Sequence, residues 1–261
     1  MDMNKLSVPG LERGLILIEV LAENSEGLSF TELQNKSGIP KLSLIRIIQV
    51  LLHKNYIIKL ERKYKLGYKI LSLSNTLLRK LDLRTKAFPY LKQLAAQTKE
   101  TVELEIVDGQ ALIVVEKMES EESIRLFSQV GLRFEHLHAV APGKVALAYT
   151  DLLPGYIKNH KLSRITEKTI VNANVLKHQL AEIRNKGYAF DDQEIRIGVR
   201  RIAAPVFDGH GKLIGIVNIA GPVFRIILKD IGKLGKLLSD IGLKISRELG
   251  YNCIIPALNR N

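Results

Sequence analysis

Four stretches of this chain carry residues that could do chemistry. In "APGKVALA" a lysine follows a glycine at what reads as a helix start, the setting in which a phosphate-binding loop holds its anion. The earlier glycine of such a loop is replaced by His138, and Val145 stands where Ser or Thr would hold magnesium, so the loop is not of that kind. "HLH", residues 136–138, alternates along what reads as a strand and puts two imidazoles on one face. No nearby carboxylate or cysteine completes a ligand set, and no metal site is expected. "DDQE", Asp191 to Glu194, could hold a cation or work as an acid–base pair, although such a run is more often a solvated turn. No Ser, Cys or Lys stands beside a base as a nucleophile requires. No catalytic residue, enzyme activity or cofactor is therefore expected. The fourth stretch is "GVRRIAAPVF", a strand that ends at the turn "DGHGK". Its period of two puts Val199, Arg201, Ala203 and Pro205 on one face and Arg200, Ile202, Ala204 and Val206 on the other. Both faces are otherwise apolar, yet each carries an arginine.

The elements that must position these residues belong to a chain of 261 residues, a length that suits two domains of modest size. With 46% hydrophobic and 25% charged residues it can build ordinary cores. The net charge of +12 points to a polyanionic partner. Residues 1–80 hold thirteen Lys/Arg against seven Asp/Glu, so half of the excess lies in less than a third of the chain. The single cysteine, Cys253, rules out a disulfide framework or a Cys-based zinc site within one chain. "MDMNKLSVPGLERG" has no cleavable apolar segment, and no apolar run approaches membrane-spanning length. A cytoplasmic protein with no membrane partner is expected.

In "LERGLILIEVLAENSEG" the apolar residues 11, 15, 18 and 21 share one helical face, and Gly27 ends the segment. "SFTEL" offers a capping box between Ser29 and Glu32. The short helix that follows stops at Gly38, and Pro40 suits the first turn of the next. Helix, short helix, Gly-containing turn, helix is the helix-turn-helix order. "NYIIKLERKYKLG" then reads as a hairpin wing.

The third helix, "PKLSLIRIIQVLLHKN", puts Leu44, Ile47, Ile48 and Leu51 on its core face. The opposite face holds Leu42, Ile45, Arg46, Gln49 and His53, with Lys41 and Ser43 on the flanks of its first turn. Such a helix suits end-first entry into the DNA major groove. Arg46 could take phosphate or guanine, Gln49 adenine, and Leu42 and Ile45 thymine methyl groups. Leu42 and Ile45 could instead pack on another part of the protein, and His53 reads as a spectator. Arg62, Lys63 and Lys65 on the wing would grip phosphates.

After the wing, "YKILSLSNTLLRKLDLRTKAFPYLKQLAAQTKE" is helical in pattern, with a break expected before Pro89. "TVELEIVDGQALIVVEKME" reads as two strands about "DG", and "SIRLFS" as another. Helices follow at "PGKVALAYT" and "NANVLKHQLAEIRNKGY", then two long strands meeting at "DGHGKL" and a closing helix, "ILKDIGKLGKLLSDIGLKISREL".

These pieces resemble, in order and spacing, the IclR family of bacterial transcriptional regulators. The residues that carry the likeness are "SVPGLERGLILIEVLA", "LSFTELQNKSGIPKLSLIRIIQVLLHKNYI", "YKLGYKILSL", "TVELEIVDGQALIVVEK", "LHAVAPGKVALA", "KGYAFDDQEIRIGVRRIAAPVFD" and "GIVNIAGP". The resemblance implies an α+β protein: an N-terminal winged helix-turn-helix (1–68), a linker helix (69–84), a GAF-like α/β effector-binding domain (85–251) and a C-terminal tail (252–261). It implies homodimers or homotetramers on double-stranded operator DNA. It places Arg13 near the DNA backbone and assigns the effector pocket to Ile124, Phe127, Ala141, Pro142, Asp191, Val199, Arg201, Asn218 and Ala220. The family often has small polar residues and a histidine where Leu42, Ser43, Leu44 and Ile45 stand, so operator sequence does not carry over. It often has a cysteine at Arg201, which changes the charge of the pocket.

An arginine in a partly desolvated pocket needs a partner. Asp191 could neutralise Arg201 permanently, or a carboxylate or phosphate ligand could be held by both prongs of its guanidinium. Arg200 reads as a structural ion pair or a subunit contact. The expected function is a DNA-binding regulator whose operator affinity responds to a small anionic effector, taken as a carboxylate. The alternative is a ligand-sensing or scaffolding module whose winged helix contacts protein.

Overall fold

The boundaries of the short helix between Ser29 and Gly38 follow from local capping chemistry. Ser29 and Glu32 form the expected capping box: the Ser29 amide donates to Glu32 Oε2 at 2.7 Å and the Ser29 hydroxyl accepts from the Glu32 amide at 3.4 Å. Gly38 ends the same helix at φ 65°, a left-handed conformation that suits glycine. The computed structural model describes residues 8–79, 82–159 and 162–252. Cys253 and the rest of the expected tail beyond Asn252 lie outside the described residues. The chain divides into two units, Met1–Lys80 and Leu81–Asn261.

The first unit runs α1 (Pro9–Ala22), β1 (Leu28–Ser29), α2 (Phe30–Ser37), α3 (Lys41–His53), β2 (Ile57–Leu60), β3 (Lys63–Leu66) and α4 (Lys69–Arg79). The wing is a three-stranded sheet, because β1 joins β3 on the side away from β2. Leu17, Leu21, Leu33, Leu44, Ile48, Ile57 and Tyr64 form the core. This corrects the expected face of α1. Leu17 and Leu21 are its buried pair, whereas Leu11 and Leu15 are exposed. The helix carries two apolar stripes, and the one through Leu11, Leu15 and Ile18 lines an open groove of about 530 Å³ with Ile47, Val50 and Leu51 of α3.

The second unit runs α5 (Asp82–Thr98), β4 (Thr101–Asp108), β5 (Ala111–Met118), β6 (Arg133–Phe134), α6 (Ala141–Tyr149), α7 (Leu152–Asn159), α8 (Ala173–Lys186), β7 (Ala189–Asp192), β8 (Val199–Phe207), β9 (Leu213–Pro222) and α9 (Ile231–Glu248). The six strands form one antiparallel sheet in the order β6-β5-β4-β9-β8-β7. Helices α6 to α8 pack on one face through Ala141, Val145, Ala203, Ile216 and their neighbours. Helices α5 and α9 cover the other, where a Cβ on Gly242 would lie 2.5 Å from the Pro205 carbonyl oxygen. The architecture is the α+β arrangement expected.

Three local expectations fail. Pro89 lies inside α5 and does not break it. Its missing N–H frees the carbonyl of exposed Thr85 to water, while buried Leu83, Ala87, Leu91 and Leu94 hold the helix down. "SIRLFS" is not a strand. Side chains take its carbonyls: Arg225 bonds Ile124 O at 2.8 Å, Thr101 bonds Leu126 O at 3.5 Å and Lys117 bonds Ser128 O at 2.6 Å. The sheet edge is instead β6. "HLH" forms part of a 3-10 turn over Leu137–Ala139, and His138 is buried between the Tyr156 hydroxyl, 2.8 Å from Nδ1, and the Ser163 carbonyl, 3.0 Å from Nε2.

Candidate effector pocket and nucleic-acid interface

Strand register assembles the pocket. Arg201 pairs across β8 with Asp191 of β7 and with Ala220 of β9, and Ala220 with Thr101 of β4. The next rows join Ala203, Asn218 and Glu103, then Pro205, Ile216 and Glu105. One sheet face therefore carries Asp191, Val199, Arg201, Asn218, Ala220, Glu103 and Glu105, all buried. Helix α6 meets the same face with Ala141, Pro142 and Lys144, also buried. Gly143 lets the preceding turn close down on this helix, since a Cβ there would lie 2.3 Å from the Leu137 carbonyl oxygen. Arg201 reaches across the face: its guanidinium carbon lies 5.9 Å from the ring centroid of Phe134 on β6, at the opposite sheet edge.

The "DDQE" run is a locked corner rather than a solvated turn. Asp191 Oδ1 accepts the Glu194 amide at 2.7 Å, and Glu194 forms an ion pair with fully buried Lys144. Asp192 accepts from Arg200 Nε at 2.7 Å and from Lys168 at 2.6 Å. Burial pushes Asp192 up, but hydrogen bonds from Lys168, Arg200 and Gln193 outweigh it and hold the group at about 2. Arg200 also donates from Nη1 to the carbonyls of Val223 and Ile226, at 3.1 and 2.8 Å, on the face away from Arg201.

Arg201 is in a different position. Its Nη1 lies 3.7 Å from Asp191 Oδ2, close enough to feel the charge and too far for a hydrogen bond. Burial raises Asp191 to about 6, and the opposing pulls of Arg201, the Glu194 amide and Lys144 do not cancel it. Burial and the neighbouring Glu103 push Glu105 well above the usual carboxylate range, against weaker pulls from Arg201 and Asn218. Among the described residues, most buried side-chain atoms without a hydrogen-bond partner gather here: Arg201 Nε and Nη1, Asp191 Oδ2, Glu194 Oε2, Glu103 Oε2, both Glu105 oxygens and both Asn218 amide atoms; Ser128 Oγ and Gln179 Oε1 lie elsewhere. A folded interior tolerates few such atoms, since each costs about 1–3 kcal/mol. Their concentration on one face sets this part of the interior apart from the rest of the described chain.

Of the residues expected in the pocket, Ala141, Pro142, Asp191, Val199, Arg201, Asn218 and Ala220 come together. Ile124 and Phe127 do not: they are 61% and 74% exposed on the segment between β5 and β6, whose carbonyls are tied inward. Glu103, Glu105, Lys144 and Phe134 were missed. The alternation of "TVELEIVD" could have found the two glutamates, because Glu103 and Glu105 share a face with Thr101.

In the first unit, Lys41, Leu42, Arg46 and Gln49 are exposed on α3, Leu42 at 75%, and Ile45 is half-buried. Arg13 of α1 donates to the Ser43 hydroxyl at 3.2 Å, so these two expected contacts form one unit at the start of α3. Arg62 and Lys63 are exposed at the wing tip, while Lys65 is half-buried beside Gly27.

The family model for the bacterial transcriptional regulator IclR C-terminal domain matches residues 75–247, and that for the IclR helix-turn-helix domain matches residues 10–60. The HTH-type transcriptional regulator XynR of Escherichia coli K12 is 28% identical over 248 residues, covering 94% of this chain and 98% of that regulator. The crystal structure of the Thermotoga maritima IclR is 29% identical, with a TM-score of 0.79 over 94% of this chain and 100% of that one. An IclR homologue from Microbacterium hydrocarbonoxydans, solved with 4-hydroxybenzoate, shares the fold at a TM-score of 0.80 and 17% identity, over 92% of this chain and 98% of that one. The chain belongs to the IclR family of bacterial transcriptional regulators, with a helix-turn-helix domain followed by a C-terminal ligand-binding domain.

Proposed function

We propose that the chain binds operator DNA through the start of α3 and the wing, and that a small carboxylate held at Arg201 changes its affinity for that DNA. The observation that carries the effector reading is the buried guanidinium of Arg201, with Nε and Nη1 unpartnered beside a carboxyl that does not neutralise it by hydrogen bonding. An ionised ligand carboxylate would accept from one of these nitrogens, whose N–H groups point to different edges of the guanidinium, and leave the other for a second acceptor on the ligand. The carboxylate of 4-hydroxybenzoate in the Microbacterium homologue supports the class. Arg13, Lys41, Leu42, Ser43, Ile45, Arg46 and Gln49 supply base and phosphate contacts, and Arg62 and Lys63 grip the backbone. The exposed apolar groove beside α1, and Leu71 and Leu77 of α4, support a homodimer or homotetramer in the cytoplasm, with a second copy covering them. The effector acts by binding two arrangements of the protein unequally.

A mobility shift of the full chain on DNA from upstream of its own gene, titrated with salt, tests the DNA reading. Affinity should fall steeply with salt, Arg46→Ala should weaken binding, and Arg62→Gln with Lys63→Gln should reduce the log–log slope by about 2 for each DNA-bound protomer. A salt-independent shift, or one untouched by all three changes, would count against it.

A further inference from the structure

The orphaned atoms of the pocket are not balanced. Among the described residues the unpartnered acceptors are Glu103 Oε2, Asp191 Oδ2, Glu194 Oε2 and Asn218 Oδ1, against donors at Arg201 Nε, Arg201 Nη1 and Asn218 Nδ2, while Glu105, whose burial favours the protonated form, offers one donor and one acceptor. A plain carboxylic acid brings acceptors alone. It would pair with one edge of Arg201 and leave hydrocarbon against two buried glutamates, which is costly. The ligand must therefore bring donors as well, and a hydroxyl both donates and accepts. Glu103 and Glu105 alternate along β4, with Cα atoms about 7 Å apart, so the donors must sit on more than one ligand atom. A lone ammonium would serve one glutamate only. Charge limits the other end. Lys144 is taken by Glu194, which leaves Arg201 as the open cation of this face among the described residues, and a second ligand carboxylate would meet the like charge of Glu103.

We infer that the effector is a polyhydroxylated monocarboxylic acid, its carboxylate held by Arg201 and its hydroxyls hydrogen-bonded to Glu103 and Glu105. The inference rests on the reading of this face as the effector pocket. Arg201 and Asn218 set the acid end, and the paired glutamates select against acids that lack hydroxyls.

The test is calorimetry and thermal denaturation of the full chain with probes matched in carbon number. D-gluconate, D-galactonate and L-threonate are compared with hexanoate, butyrate, sorbitol, threitol and 6-aminohexanoate. At least one sugar acid should bind tenfold or more tightly than the deoxygenated acid and the polyol of the same length. Glu105→Leu should remove that margin and at the same time raise the melting temperature of the unliganded protein, because it deletes a buried unpartnered carboxyl. Hexanoate or 6-aminohexanoate binding as tightly as any sugar acid would overturn the inference, as would a sugar-acid affinity unchanged by Glu105→Leu. Hexanoate binding that Arg201→Ala abolishes would overturn the ligand class and leave the effector pocket standing. Binding of no probe, or binding indifferent to both substitutions, would overturn both.

Discussion

Asp191→Asn separates an arginine reserved for a ligand from one spent on a permanent ion pair. Burial raises the Asp191 carboxyl from its ordinary 3.8 to about 6, with Arg201 opposing. The folded chain thus holds this proton more tightly than the unfolded chain. Its contribution favours the fold while the group is protonated and is lost as pH rises through the folded value. Integrated over the interval from pH 5 to pH 7, the loss is about 1 kcal/mol. An asparagine does not titrate there, and its side-chain oxygen still accepts the Glu194 amide. The change also leaves Arg201 without its nearest carboxylate, but that offset does not vary over this range. Urea denaturation of both proteins at pH 5 and pH 7 gives the comparison, because titrations common to both cancel in the difference. The variant should gain about 1 kcal/mol on the native protein between the two conditions. No gain, or a shift in the other direction, would mean that Arg201 depresses Asp191 as a tight ion-pair partner, and the argument for a ligand at Arg201 would fail.

Two other outcomes follow from the same site. Lys144→Met should cost about 3–5 kcal/mol at neutral pH, because it strands Glu194 in the interior. The cost should shrink in acid, since burial already raises the Glu194 pKa, and Glu194→Gln should restore most of it; denaturant midpoints read both effects. Gly143→Ala should lower stability by about 1–3 kcal/mol and weaken sugar-acid binding together, because the added methyl meets the Leu137 carbonyl and displaces the turn that carries Ala141. An unchanged melting temperature would show that the turn is loosely held.

Much of this fold was legible because short-range chemistry dictates it. The capping box at Ser29, the left-handed Gly38 and the turns flanking each hairpin fixed element ends with little help from tertiary packing. The parity of "GVRRIAAPVF" correctly separated Arg200, bonded to Asp192 and two carbonyls, from Arg201 on the other face. What was hidden depended on distant partners. Nothing local in "SIRLFS" says that Arg225, Thr101 and Lys117 will claim its carbonyls. Pro89 survives in a helix because one face of α5 is buried and the other is wet. Helix α1 has two apolar stripes of similar strength, and only packing against α2 and α3 decides which is core. Lys144 looked like a failed phosphate loop because its partner, Glu194, lies fifty residues on. Glu103 and Glu105 alternate as solvent-facing strand residues do, and only the helices packed on that face make them interior.

The central claim is that Arg201 couples a bound acid to the affinity of this regulator for DNA. The measurement is the shift in affinity for its own upstream DNA on adding the tightest-binding sugar acid of the panel, for the native chain and for Arg201→Ala. The account predicts that the native chain shifts at least fivefold, a coupling of about 1 kcal/mol, and that the variant binds the DNA but does not shift. A variant that responds to the acid as the native chain does would contradict it.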